Sequence, residues 1–511
     1  MKILIASPEI VPFAKTGGLA DVTGALPKAI ERLGEDVAAI MPKYKTVDEK
    51  KFGLEYTGKN IRVPISNRIE EARIYKGYIN SQESGGRTGV PPVSRQSKIP
   101  IYFIEKNEYY DREYLYGTPQ GDYPDNAERF IYFSRAVLEA CKVIGFKPDI
   151  IHCNDWQTGM VPVYLKTLYK DDPFFKDTAA IFTVHNIGYQ GLFWHFDMHL
   201  TNLGWDIFTP EGIEFYGKIN ILKGGIIYSD VITAVSKTYS LEIQTEEYGR
   251  GLDGVLRKRK DDLYGVINGI DYEEWNPETD KHLAARYSID DLSGKWECKK
   301  DLLNIYGLTP SKEIPVIAAI SRLDEQKGFD LITEVIADLM KLEFQFIFLG
   351  TGKEKYQKIF EDIGKKYPLK AGIKIGFDNA LAHKIEAGAD MFLMPSRYEP
   401  CGLNQLYSFK YGTIPIVRAT GGLNDTVENY DPTLPRRAGE REGNGFKFSE
   451  YSSKELLSVI ERAVDVYNDH IGWKELMNKA MGEDYSWGHS AREYVDLYRK
   501  AKEKKEHQST R

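Results

Sequence analysis

The sequence predicts an α/β protein made of two doubly wound, Rossmann-like parallel-sheet domains in tandem. Short apolar runs of strand length alternate with amphipathic stretches of helix length, the pattern of βαβ units. The alternation runs through the first half of the 511 residues and then begins again. A chain of that length is also too long for one hydrophobic core.

In order, the strands expected in the first half are 2–6, 36–41, 72–79, 99–104, 150–152, 179–183, 231–234 and 264–267. A helix over 18–33 follows the first strand, and one over 128–144 precedes the run at 150–152. The second half restarts with strands at 315–320, 345–349, 371–375, 391–394 and 414–417. The domains are expected at 1–264 and 265–489. Near their join, the turn residues Asn268-Gly269-Ile270-Asp271 follow a strand and Trp275-Asn276-Pro277 stops any helix. A last helix over 490–505 carries Tyr494, Val495, Leu497, Tyr498 and Ala501 at helical spacing and is expected to cross back onto the first domain. Residues 81–97 (SQESGGRTGVPPVSRQS) have no periodicity and read as a flexible insertion in a hairpin loop, which costs little in loop-closure entropy.

Composition excludes several classes. A net charge of −7 lacks the basic face that a nucleic-acid binder needs. The basic cluster Lys500, Lys502, Lys504 and Lys505 is interrupted by Glu503 and Glu506 and reads as a solvated helix end. The four cysteines, Cys141, Cys153, Cys298 and Cys401, show no Cys-x-x-Cys spacing and fit reduced thiols. The apolar stretch Ile3 to Ala6 is too short for a secretion signal, and no run approaches the roughly 20 residues that span a bilayer. The expectation is a cytoplasmic protein with no nucleic-acid or membrane partner.

The chemistry is carried by loops that follow strands. Lys15-Thr16-Gly17-Gly18-Leu19-Ala20-Asp21 opens a helix. A glycine pair there admits a close ligand, the helix N-terminus offers N–H groups to an anion, and Lys15 adds a charge. The spacing is neither the dinucleotide G-x-G-x-x-G nor a Walker A loop, and plain turn chemistry also explains a Gly-Gly pair. In the second half, Arg322 to Gly328 (RLDEQKG) occupies the equivalent place, and paired Arg322 and Lys327 suit a departing diphosphate. Glu399 follows the strand at 391–394, with Cys401, Gly402 and Leu403 leading into a helix. Thr420-Gly421-Gly422 forms another strand–Gly–Gly–helix turn. His185-Asn186 and Asn154-Asp155-Trp156 end two strands of the first half. A histidine there either bonds a sugar hydroxyl or is simply structural. Tyr109, Tyr110, Tyr114 and Tyr116 cluster nearby, and aromatics with polar tips suit carbohydrate stacking.

Together these segments, with TVHNIGYQG at 183–191, VINGIDYEEWNP at 266–277 and EPCGLNQLYSFKYG at 399–412, resemble the bacterial glycogen synthase and plant starch synthase family. The likeness covers nearly the whole chain apart from 81–97. It implies a GT-B fold with the active site in a cleft between two Rossmann-like domains. It also implies a sugar-nucleotide substrate, ADP-glucose, and an α-1,4-glucan (glycogen or starch) acceptor, with no cofactor and no metal. The sequence contains no Asp-x-Asp triplet of the metal-dependent kind.

By resemblance, Lys15 and Gly18, in the loop that also holds Gly17 and Asp21, contact the sugar nucleotide or the transferred glucose. Arg322 and Lys327 hold the diphosphate, and His185, beside Asn186, bonds the glucose. Glu399 and the Cys401, Gly402 and Leu403 backbone grip glucosyl hydroxyls, with Gly421 and Gly422 in the adjoining turn. Phe377 stands where many relatives stack a tyrosine on adenine, and Asp155 is a candidate for acceptor binding. Gln157 stands where a histidine is common. The implied reaction is retaining glucosyl transfer through a front-face displacement. The alternatives are a UDP-glucose or small-acceptor transferase, a catalytically inactive glucan binder and, from the Rossmann pattern alone, an NAD-dependent oxidoreductase.

Overall fold

The computed structural model describes residues 1–81, 97–431 and 443–509. Apart from its two end residues, the insertion expected at 81–97 lies outside the described residues. The chain divides into two compact units, residues 1–269 with 487–511, and residues 270–486.

Across the main sheet of the first unit the strands run Leu263–Gly265, Val231–Ala234, Ala179–Val184, Ile150–Asn154, Lys2–Ala6, Asp36–Pro42, Ser97–Glu105, Arg68–Ser81 and Glu55–Ile65. The first seven are parallel. The last two add an antiparallel edge. Central strands such as Ala179–Val184 are buried at every position, as continuous apolar runs covered on both faces must be. The edge strand Glu55–Ile65 was not foreseen, because only Ile61, Val63 and Ile65 are buried and the rest is exposed or half-buried. A half-exposed edge leaves too few apolar residues to register as a run.

The second unit has six parallel strands in the order Ala371–Ile375, Gln345–Gly352, Val316–Leu323, Met391–Met394, Ile414–Arg418 and Phe446–Phe448. Both sheets are doubly wound. In the first, the chain lays Asp36–Pro42 on one side of Lys2–Ala6 and later returns to place Ile150–Asn154 on the other. In the second, Gln345–Gly352 and Met391–Met394 flank Val316–Leu323 in the same way. Each reversal opens a crevice beyond the carboxyl ends of the two diverging strands, the place where such sheets bind ligands.

The last helix, Trp487–Ser509, belongs to the first unit. Ala491, Tyr494, Val495, Tyr498 and Ala501 form its buried stripe. The lysine cluster expected to be a solvated helix end is instead a clamp. Lys502 pairs with Asp149 at 3.0 Å, Lys504 with Asp262, Lys500 donates to the Tyr264 hydroxyl at 2.7 Å, and Lys505 is buried. The interrupting glutamates hid this, because residues one helical position apart point in different directions.

Candidate active site

In the second unit, the loops on either side of the strand reversal are laced together. Asp324 caps its own turn by accepting from the Gln326 N–H at 3.2 Å. Arg397 N–H donates to the Gln326 carbonyl at 2.8 Å, and Gln326 Nε2 donates to the Tyr398 carbonyl at 3.2 Å. This lacing brings Lys327 Nζ to 2.6 Å from Glu399 Oε2, which also accepts from Ser396 Oγ at 3.0 Å. Glu399 is 6% exposed. Both contacts fall on Oε2, and Oε1 has no hydrogen-bond partner among the described residues and is not sealed from solvent. Arg322 is exposed at the end of its strand, and Phe377 is 83% exposed beyond the end of another.

Gly421 and Gly422 are buried beneath this loop. A Cβ on Gly421 (φ 45°) would lie 1.9 Å from the Glu399 carbonyl oxygen, and one on Gly422 would lie 2.0 Å from that of Cys401. Gly422 N–H donates to the Glu399 carbonyl at 3.1 Å. The pair shapes the site through the backbone it supports. Gly402 takes φ 73°, and Gln405 Nε2 donates to the Cys401 and Gly402 carbonyls, fixing the turn into Leu403 and the helix Asn404–Lys410. Sequence reasoning missed Arg418. Its buried guanidinium donates to the carbonyls of Ser396 (2.8 Å) and Arg397 and so holds the loop in which Glu399 sits. A lone arginine closing an apolar strand was its only sign.

In the first unit, Lys15 Nζ lies 2.7 Å from Asp21 Oδ1. Gly17 is exposed, and a Cβ there would meet nothing within 4 Å. No side chain caps the helix Gly18–Arg32 at Gly17. Glu9, also missed, shapes this loop. Its carboxylate accepts from the Thr16 N–H, from Thr16 Oγ1 at 2.6 Å and from the Tyr116 hydroxyl at 2.6 Å.

His185 is held from two sides. Its N–H donates to Asp155 Oδ1 at 2.7 Å, and its Nε2 lies 2.9 Å from Asn154 Oδ1. Asn186 Oδ1 accepts from the Gly188 N–H at 2.9 Å. Burial pushes the Asp155 carboxyl up to about 7, against the bonds from the His185 and Asn186 backbone. Burial also lowers the His152 and His185 rings to about 3, which keeps both neutral. The tyrosine cluster is mostly core. Tyr109 and Tyr110 are buried, Tyr116 is bonded to Glu9, and Tyr114 alone of the four is well exposed, at 43%. Gln157 is buried as well. Among the described residues no group of three or more His, Cys, Asp or Glu could hold a metal ion. No described helix is long and apolar enough to cross a membrane.

The starch synthase catalytic domain family matches residues 2–258, and the glycosyl transferases group 1 family matches residues 307–473. The catalytic domain of starch synthase IV from Arabidopsis thaliana, bound to ADP and acarbose, superposes with a TM-score of 0.87 at 34% identity over 98% of this chain and 99% of that one. A sucrose-phosphate synthase from Thermosynechococcus elongatus, 16% identical with a TM-score of 0.56, shares the fold. The fold is that of a GT-B glycosyltransferase. Glycogen synthases of Koribacter versatilis (48% identity, 98% of this chain and 99% of the relative) and Thermosipho africanus (49%, 99% and 100%) align along the full length. The chain belongs to the glycogen synthase and starch synthase family of glycosyltransferases.

Proposed function

We propose that the protein transfers glucose from ADP-glucose to the non-reducing end of an α-1,4-glucan, with retention of configuration, in the cytoplasm and without a metal or other cofactor. The observation that carries the reading is the partly buried Lys327–Glu399 pair at the strand reversal of the second unit, with Arg322 exposed at the end of the strand that leads into the Lys327 turn. A nucleoside diphosphate leaves without a strong general acid when fixed positive charge surrounds it, the electrostatic term that usually dominates catalysis. Arg322 and Lys327 supply that charge. Glu399 Oε1 and the Cys401–Leu403 backbone grip the glucosyl hydroxyls, and Phe377 stacks on the base. In the first unit, Lys15, held by Asp21, and the open turn at Gly17 and Gly18 face the sugar nucleotide, while His185 bonds the glucose.

In this reading the bond from anomeric carbon to phosphate oxygen breaks and the bond to the acceptor's 4-oxygen forms on the same face. The acceptor's 4-hydroxyl proton passes to the departing phosphate oxygen. Glu399 stabilises the oxocarbenium-like state without a covalent bond. ADP in the starch synthase IV structure and the match to glycogen synthases support ADP-glucose as donor and glucan as acceptor.

The test is glucose incorporation from ADP-glucose and from UDP-glucose, with and without glycogen, in the presence of chelator. Primer-dependent incorporation from ADP-glucose that survives chelation is the expected result. Preference for UDP-glucose would change the donor and keep the mechanism. Absence of glucan elongation from either donor would sink the proposal.

A further inference from the structure

We propose that Asn154 is a positioning residue for glucosyl transfer: it fixes His185 in the tautomer protonated on Nε2, so that Nδ1 meets the substrate as a hydrogen-bond acceptor for a sugar hydroxyl. The inference rests on the reading that His185 touches the transferred glucose.

The argument begins with the sheet. The strands Ile150–Asn154 and Ala179–Val184 are parallel neighbours, with Asn154 opposite Thr183. The side chain at the end of one strand therefore lies against the residue just past the end of the other. Asn154 is 1% exposed and His185 9%. The carboxamide cannot be turned over. Its Nδ2 donates to the carbonyls of Ala6 at 3.1 Å and His152 at 3.3 Å, and carbonyls only accept. Oδ1 is thereby aimed at His185 Nε2, 2.9 Å away. An acceptor facing a ring nitrogen requires a proton on that nitrogen.

Burial holds the ring neutral, so it carries one proton, and that proton is on Nε2. Nδ1 is left with a bare lone pair. Among the described residues it has no hydrogen-bond partner, and it is not sealed from solvent. A neutral nitrogen that only accepts recognises a hydroxyl and repels a phosphate oxygen, which fits the glucose contact on which the inference rests.

The next residue fixes the backbone of the same histidine. Asp155 accepts its N–H while holding φ 55°, a left-handed conformation that a non-glycine residue keeps only when its surroundings impose it. Asn154 sets the ring and Asp155 sets the chain.

The direct test labels histidine with ¹⁵N in the full-length protein and assigns His185 by comparison with His185→Gln. Long-range ¹H–¹⁵N correlations then read the tautomer. The Nε2–H form is expected, and an Nδ1–H or doubly protonated ring would overturn the proposal, whatever the enzyme transfers. The kinetic arm replaces the acceptor with an isosteric apolar group. Asn154→Leu should lower kcat about tenfold or more, one hydrogen bond's worth, with the glucan KM unchanged. It should add nothing in a His185→Gln background, because Asn154 acts only through that ring. An unchanged kcat in Asn154→Leu, or additive losses in the double variant, would refute the role. If Asn154→Leu fails to fold, the tautomer measured in the unsubstituted protein still decides.

Discussion

At the scale of single residues, the Glu399 carboxylate is bound twice through one oxygen, by Lys327 and Ser396. Removing one member of a partly buried ion pair leaves an uncompensated charge beside the site. Glu399→Gln preserves the shape and the Ser396 bond but weakens the hold on Lys327. We expect kcat to fall about 100-fold or more, within the range for losing one transition-state contact, while thermal melting shows the protein still folded. Asp155 gives a pH test. Its folded-state pKa of about 7 lies above the ordinary 3.8, so the fold favours the protonated form. Its linked stability is present below the unfolded value and is lost as pH rises through the folded one. Asp155→Asn removes this titration. The variant's melting temperature should therefore gain on that of the unsubstituted protein between about pH 4 and 7 and run parallel above. A constant difference across that window would contradict the assignment.

At the scale of elements, the two glycine pairs look alike in sequence and differ in structure. Gly421 has no room, since a Cβ would meet the Glu399 carbonyl at 1.9 Å from a left-handed backbone. Gly421→Ala should displace the Glu399 loop, cost about 1–3 kcal/mol in unfolding free energy and abolish most activity. Gly17 is extended, with open space where a Cβ would stand. Gly17→Ala should leave the unfolding free energy within about 0.5 kcal/mol of unchanged and still lower kcat/KM, because the methyl occupies the ligand's side. Sequence alone shows only that both pairs precede helices. Which pair is spaced for a ligand and which for its own backbone depends on the loop that passes behind it.

At the scale of the whole molecule, the last helix completes the first unit through a buried network. The Tyr498 hydroxyl lies 2.9 Å from His152 Nδ1, His152 Nε2 lies 2.6 Å from Thr183 Oγ1, and Thr183 in turn meets Thr233 at 2.6 Å. Tyr498→Phe leaves a buried ring nitrogen unpaired and should cost about 1–3 kcal/mol, read as an earlier unfolding transition. Deleting residues 487–511 should do more. It strips the buried stripe and takes the lysine partners from Asp149 and Asp262, so limited proteolysis should cut residues 1–269 first.

The sequence by itself determined the α/β class, the doubly wound rhythm, most central strands and the loops that carry Lys15, His185, Arg322, Lys327 and Glu399. These follow from local periodicity and from turn chemistry next to apolar runs, both written in neighbouring residues. Only the tertiary structure decided that Glu9 and Arg418 hold the site's loops, that Tyr109 and Tyr110 are core, and that the C-terminal lysines clamp a helix. It also decided which nitrogen of His185 faces outward. Most of those outcomes depend on contacts between residues tens to hundreds of positions apart. A side chain's solvent, partner and protonation are set by what folds against it, and no local pattern encodes that.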